Sequence, residues 1–380
     1  MNETVYEILH KLRGGESFEA LADDVNRHKL IVNENGGCTA YYFSVPIKNT
    51  DNDDNVAVFR DKDGTPFMSG TSCNVRIGKA IVFEGINTQI GVTIPGTDKW
   101  CLVGQDVICG NTRISPTLNG VALRRPISRG ETFDVIISTE DSSAELRCNS
   151  KYFAFMKQHF VPSFVVSPIG VRNGEKVGSL LLSARPGKVA GEYRLTFTSP
   201  DTYGEMYAEF NMHEQKLIQD TTVESARPDE NNAYGTTAFI GHSEMFGAQQ
   251  LYLKFNYPMI GDFGREHISS IKLYLPVLGG DMPPLEALHM DNRFCSFGSV
   301  WNKRIKPSDK HLPVTYYGGF CCVDLTEVMT DGACKLKFSN GFHLRARKES
   351  NGYCALATGD SHLFPPVLEV RGGTTNTNLN

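Results

Sequence analysis

Residues Gln219–Glu244 read QDTTVESARPDENNAYGTTAFIGHSE, and Gln249–Pro258 continue with QQLYLKFNYP. A short strand with polar flanks is expected first, then a long Asn/Pro/Asp/Gly loop closed by Tyr234 and Gly235. A second strand, a turn and a third strand complete the stretch. The loop is crowded with acids and amides, which suits either a ligand site or a plain connection between strands. Placed in order with the strands downstream of it, the loop reads as the first long connection of a sandwich, entered from its first strand. No cofactor is implied. Asp220 and Asp229 are the candidate metal residues, and they would serve only if calcium, which prefers carboxylate and carbonyl oxygens, were bound.

The same strand signature extends over most of the chain. TAYYFSVPI, NVAVFR, NVRIGKAIVFEG, QIGVTIPG, FDVIIST, SFVVSPIGV, GSLLLSA, EYRLTFTS and MYAEFNM alternate or run apolar for a few residues between turn signals. RDKDGT, between two such runs, carries the Asp-Gly mark of a hairpin. Recurring short strands predict a mainly β protein of tandem antiparallel β-sandwich or jelly-roll domains. No strand-to-helix glycine loop for nucleotides is present.

Only the first thirty or so residues show a helical period. Val5, Ile8, Leu9 and Leu12 form one apolar stripe, Thr4 and Glu7 are spaced as a capping box, and Gly14-Gly15 ends the helix. Ser17 can cap a second helix with Phe18, Leu21 and Val25 on one face. Two such short helices cannot bury their stripes on each other alone. Val5, Ile8, Leu9, Leu12, Phe18 and Leu21 are therefore expected to dock on the chain's own β domain or on a neighbouring subunit. The expected organisation is a helical docking segment over 1–36, a β-sandwich over 37–148, and a second strand-rich module or its continuation over 149–215. A jelly-roll domain over 216–373 and a polar tail over 374–380 complete it.

Composition narrows the function. A chain of 380 residues with net charge −5 and no dense Lys/Arg run does not read as a nucleic-acid binder. No apolar run reaches membrane-spanning length, so membrane insertion is not expected. MNETVYEILHKLRGG lacks the basic start and apolar core of a secretory signal. Synthesis in the cytoplasm without a signal peptide is expected. The ten cysteines, at 38, 73, 101, 109, 148, 295, 321, 322, 334 and 354, form no CxxC, and several sit inside apolar strand-like runs. They read as small buried free thiols.

No catalytic constellation stands out. NTDNDD followed by RDKDG has the acid density of a calcium loop, but counting from Asp51 puts Val56 where the turn needs Gly and Lys62 where a bidentate Glu is needed. No G-x-S-x-G is present. His242 and Ser243 are adjacent in a strand and point to opposite faces, so they cannot act as a dyad. His159 and His289 stand alone. The chain is not expected to be an enzyme. The remaining signal is aromatic: Trp301 with Asn302 and Arg304 in GSVWNKRI, and Tyr316 with Tyr317 in VTYYGGF. A planar ring beside amide and guanidinium groups suits a sugar's apolar face and hydroxyls. The competing expectation is that Trp301 plugs one end of a core.

From Asp220 onward the order of features resembles the DNRLRE-type β-sandwich module, the disaggregatase-related, carbohydrate-binding-like family. DTTV at Asp220–Val223, NNAYG at Asn231–Gly235, TAFIGHSE, LYLKFNYP at Leu251–Pro258 and ISSIKLYL at Ile268–Leu275 keep its order. So do VWNKRI, VDLTEVM at Val323–Met329, NGFHLRA at Asn340–Ala346 and PPVLEV at Pro365–Val370. Ile271 stands where the family usually has Ala, and Gln249 or Gln250 where an Arg is common. The resemblance implies a jelly-roll-like module that binds or displays, often against glycans. A surface module made without a leader suits a component of a phage particle or phage-tail-like assembly. Such a protein is made in the cytoplasm and acts in a virion or on the cell exterior. A homo-oligomer with other assembly proteins, meeting cell-surface glycans, is the expected setting. The alternative is a stand-alone bacterial surface or secreted carbohydrate-binding protein.

Overall fold

The computed structural model describes residues 24–26, 28–34, 37–47, 58–60, 64–69, 73–85, 88–94, 100–139, 145–148, 163–173, 175–199, 204–213, 217–244, 246–255, 268–296, 298–330, 340–347 and 352–373. It is mainly β, with antiparallel pairing throughout the described residues except between Glu145–Cys148 and Ser163–Arg172, which run parallel. The strands assemble into two lobes. Lobe I spans 58–213, and lobe II combines 24–47 with 217–373.

Among the described residues, lobe I is a sandwich of two eight-stranded sheets. Alternation drives it, because successive strand residues point to opposite faces. In Cys73–Ile77 the side chains of Cys73, Val75 and Ile77 are buried while Asn74 and Arg76 are half-exposed. Phe83, Val92, Val135, Leu195 and Phe197 from one sheet meet Ile114, Val121, Leu123, Ala208 and Phe210 from the other in a single core. Phe197 and Phe210 contact edge to face with centroids 6.5 Å apart. Each fully buried Val, Leu, Ile or Phe contributes about 1.5–3 kcal/mol. The Asp-Gly hairpin is present, since Val58–Arg60 pairs with Pro66–Ser69 and Gly64 adopts φ +78°.

Lobe II, among its described residues, is one ladder of fourteen strands folded upon itself. The corner is the strand Ile268–Gly280. Its first part pairs with Val367–Gly373 and Phe320–Asp324, and its last four residues pair with Gly352–Ala357 after a shift in register between Val277 and Gly279. Such a bulge bends a strand and lets it leave one leaf for the other. Gly280 sits at φ +85°, and a Cβ there would lie 2.4 Å from the Tyr353 carbonyl oxygen. Ile240, Leu251, Leu253 and Leu344 face Ile271, Leu273, Val323, Leu368 and Val370 in the core.

Two sequence expectations are corrected. Val25 is not on a helix: Asp24–Asn26 is a strand, with Val25 opposite Leu30. The other helix residues, Val5, Ile8, Leu9, Leu12, Phe18 and Leu21, lie outside the described residues. The limits at 36 and 148 do not follow the sheets either. Gly37–Phe43 pairs along its whole length with Val367–Gly373, and Ala40 and Tyr42 enter the core of lobe II. One core in turn draws on residues from Met68 to Met212, on both sides of position 148. Pairing across hundreds of residues leaves no local mark, which is why boundaries read from composition miss it.

Lobe I is thus an insertion between the third strand of lobe II and Ile218–Glu224. The chain leaves and returns side by side: the Leu217 amide donates to the Ser44 carbonyl at 3.3 Å, and the Ser44 amide donates to the Pro366 carbonyl at 3.0 Å. The lobes share a buried contact in which Ala122, Ile169, Val171 and Tyr207 of lobe I pack on Phe239, Phe246 and Ala355 of lobe II.

Candidate functional site

The loop after Ile218–Glu224 is wired by its own polar groups. Glu224, fully buried, takes the Arg227 guanidinium on one oxygen and the Gln249 amide on the other, the latter at 2.7 Å. Asn231 Nδ2 donates to the carbonyls of Ser296 and Ser299 at 2.5 and 2.7 Å, while its Oδ1 receives the Ala233 amide. Asp220 is buried, and its Oδ2 accepts the Gly359 amide at 2.7 Å. Gly359 is needed there, because a Cβ would lie 2.7 Å from that same oxygen. Asp229 is exposed and accepts from Asn302 Nδ2 at 3.0 Å. Asp220 therefore anchors a backbone turn, whereas Asp229 ties the loop to the tryptophan turn. Among the described residues no group of three or more His, Cys, Asp or Glu is placed to hold a metal.

Trp301–Lys303 forms a single 3-10 turn. The Arg304 guanidinium lies 3.8 Å from the Trp301 ring centroid, and the half-buried indole packs on the cluster Val223, Tyr252, Met290 and Phe294. The structure thus brings Trp301, Asn302 and Arg304 together with Asp229. One indole face is under the guanidinium, and the ring also caps a satellite core. Asn302 and Arg304 remain exposed around it.

Tyr316 and Tyr317 belong to a different element, the hairpin Val314–Tyr317 with Phe320–Asp324. Its tip is Gly318-Gly319, at φ +53° and +81°, the left-handed pair a two-residue turn demands. Tyr317 is 59% exposed and Tyr316 41%, so both rings reach solvent where alternation predicts only one outward. The Tyr316 hydroxyl donates to the Pro283 carbonyl at 3.2 Å, and burial raises its pKa.

Sequence reasoning missed two features. Beneath the tryptophan turn, His343 stacks on Tyr252 with centroids 4.5 Å apart and planes 6° from parallel. Its Nε2 pairs with Gln250 Oε1 at 3.0 Å. Burial, then the neighbouring Arg345 and Arg304 charges, push the His343 pKa down to about 3, and burial pushes the Tyr252 phenol up to about 12. His343 and Tyr252 face each other across the Gly247–Phe255 and Phe342–Ala346 pairing. Their positions in sequence, ninety-one residues apart, hold no spacing signal.

The second is a cleft of about 560 Å³ between the lobes. Arg113, Arg124, Lys176, Asp106 and Tyr207 of lobe I line one wall, and Pro276, Val277, Leu278, Phe320, Leu363 and Phe364 of lobe II the other. Beside it Glu209, fully buried, accepts from the Tyr207 hydroxyl at 2.8 Å, Ser361 Oγ at 3.2 Å, Asn211 Nδ2 at 3.0 Å and the His362 amide at 3.0 Å. Two of these donors come from each lobe, so one carboxylate pins the lobes together. The signal lay in GEMYAEFNMH, where Met206, Ala208, Phe210 and Met212 alternate with Glu205, Tyr207, Glu209 and Asn211. The pattern predicts one wet face, yet Tyr207, Glu209 and Asn211 are all buried, and lobe II meets the first two.

The described thiols divide by position: Cys73, Cys109, Cys321, Cys322 and Cys354 are buried and in no disulfide, whereas Cys101 and Cys295 are exposed. No family model matches the chain, and no curated protein matches it.

Proposed function

We propose that this chain is a non-catalytic structural and adhesion protein, a component of a phage particle or phage-tail-like assembly, with lobe II acting as a DNRLRE-like, carbohydrate-binding-like module. The observation that carries this reading is the way the lobes are joined. Two adjacent chain crossings, an apolar contact and the Glu209 clamp hold two sandwiches as one stiff unit. A stiff unit suits a display element, which transmits position and load, better than a device that opens and closes around a substrate. On lobe II, exposed Tyr317, Tyr316, Asn302 and Arg304 offer ring faces and hydrogen-bond donors of the kind sugars use.

Mass measurement of the purified full chain tests the assembly half, with an oligomer or incorporation into particles expected. A strict monomer absent from any particle sinks it and favours a stand-alone carbohydrate-binding protein. Glycan-array binding tests the display half. Tyr317→Ala is expected to weaken binding about tenfold while leaving the melting temperature unchanged, since an exposed hot-spot ring acts through contact alone. Unchanged binding in both Tyr317→Ala and Arg304→Ala rejects these residues as the contact.

A further inference from the structure

Lys176 is the group the fold does not otherwise explain. It is buried in the wall of the interlobe cleft, with Nζ 3.8 Å from the Tyr207 ring centroid and 5.8 Å from that of Phe364, and both rings line the same cleft. Nζ has no hydrogen-bond acceptor among the described residues. Three carboxylates around the cleft accept hydrogen bonds from other groups. Glu209 attracts Lys176, but its two oxygens already accept four hydrogen bonds. Asp106 is held by Arg113 at 2.8 Å, and Glu205 by Arg124 at 3.0 Å. A buried ammonium is strongly penalised unless an acceptor meets it, and two aromatic faces compensate only in part. Glu209 balances the charge of Lys176, but no acceptor among the described residues meets the lysine Nζ, which faces an apolar wall contributed by the other lobe.

We propose that this cleft binds a small monocarboxylate with an apolar tail, its carboxylate meeting Lys176 and its tail lying on Val277, Leu278, Phe320, Leu363 and Phe364. The head group is set by Nζ, whose N–H groups lack an acceptor among the described residues. A carboxylate supplies a charge-assisted bond about twice as strong as one to a neutral oxygen. The volume falls in the range of small-molecule sites, which are mostly apolar with few convergent polar groups. Because the two walls come from different lobes, an occupant also bridges them.

The test uses the full chain with decanoate as probe, and decanol and inorganic phosphate as controls, read by calorimetric titration at pH 7. Decanoate is expected to bind at least tenfold more tightly than either control and to raise the melting temperature. Lys176→Gln is expected to weaken decanoate at least tenfold and leave decanol unchanged. Lys176→Arg, which keeps the charge, is expected to retain most of the binding and guards against a folding artefact. A photoreactive decanoate analogue should label peptides containing Val277–Leu278 or Leu363–Phe364. Equal binding of decanol and decanoate, undiminished binding in Lys176→Gln, or labelling confined to other peptides each overturns the proposal.

Discussion

His343 shows how far a single side chain can be taken from its solution behaviour. Its imidazole is stacked under Tyr252, bonded to Gln250 and flanked by two guanidinium groups, so the folded chain keeps it neutral down to about pH 3. An unfolded chain protonates histidine near pH 6.5. The folded pKa lies below the unfolded one. As pH falls from 6.5 towards 3, the unfolded state therefore takes up a proton that the folded state refuses, and stability drops. The loss amounts to several kcal/mol, at about 1.4 kcal/mol per unit of pKa difference. Denaturant unfolding at pH 7 and pH 4 is expected to show a steeper fall for the native chain than for His343→Phe. Parallel losses would mean that carboxylates elsewhere set the acid response. Trp301 carries a related lesson: the turn and its Arg and Asn neighbours could be read from GSVWNKRI. That the guanidinium would lie over the ring depends on Tyr252 and Phe294 lifting the indole from beneath.

Among the elements, Ile268–Gly280 decides the form of lobe II. ISSIKLYL reads as a strand from its alternation, and it is one, but the turn of the corner lies just beyond, in the bulge at Val277–Gly279. Gly280 is the point of least tolerance. Its φ of +85° disfavours any side chain by about 1–2 kcal/mol, and the approach of the Tyr353 carbonyl adds a clash. Gly280→Ala is expected to destabilise the protein by about 2–4 kcal/mol, measured as a shift in denaturant midpoint at unchanged slope. A loss under about 0.5 kcal/mol would show that the corner relaxes freely. The hairpin Val58–Arg60 with Pro66–Ser69 was legible because its Asp-Gly signal is local. The pairing of Gly37–Phe43 with Val367–Gly373 was not, since the same alternating residues would satisfy any free sheet edge.

At the scale of the whole molecule, the insertion of lobe I into lobe II makes the two cores interdependent. After Gly37–Phe43 the chain must traverse the whole of lobe I before Ile218 joins Ala40 and Tyr42 in one core, and the shared interface buries the polar side of Gly204–His213. Calorimetry is expected to give one unfolding transition for the native chain. Glu209→Ala leaves the Tyr207, Asn211, Ser361 and His362 donors without their acceptor, at a cost of about 3–5 kcal/mol, and is expected to split the transition in two. Two transitions already present in the native chain would refute the weld. The mainly β class, the strands at DTTV, TAFIGHSE, LYLKF, ISSIKLYL, NGFHLRA and PPVLEV, and the Asp-Gly hairpin were legible in sequence, because alternation and turn chemistry act over a few residues. Leu285–His289 and Gly352–Ala357 were not. Which strands share a sheet, that the Glu209 face is covered, and that Lys176 Nζ lies without an acceptor among the described residues at a cleft emerge only once the chain is folded. Each of those depends on which surface meets which, and a face patterned for water looks the same in sequence as one patterned for another lobe.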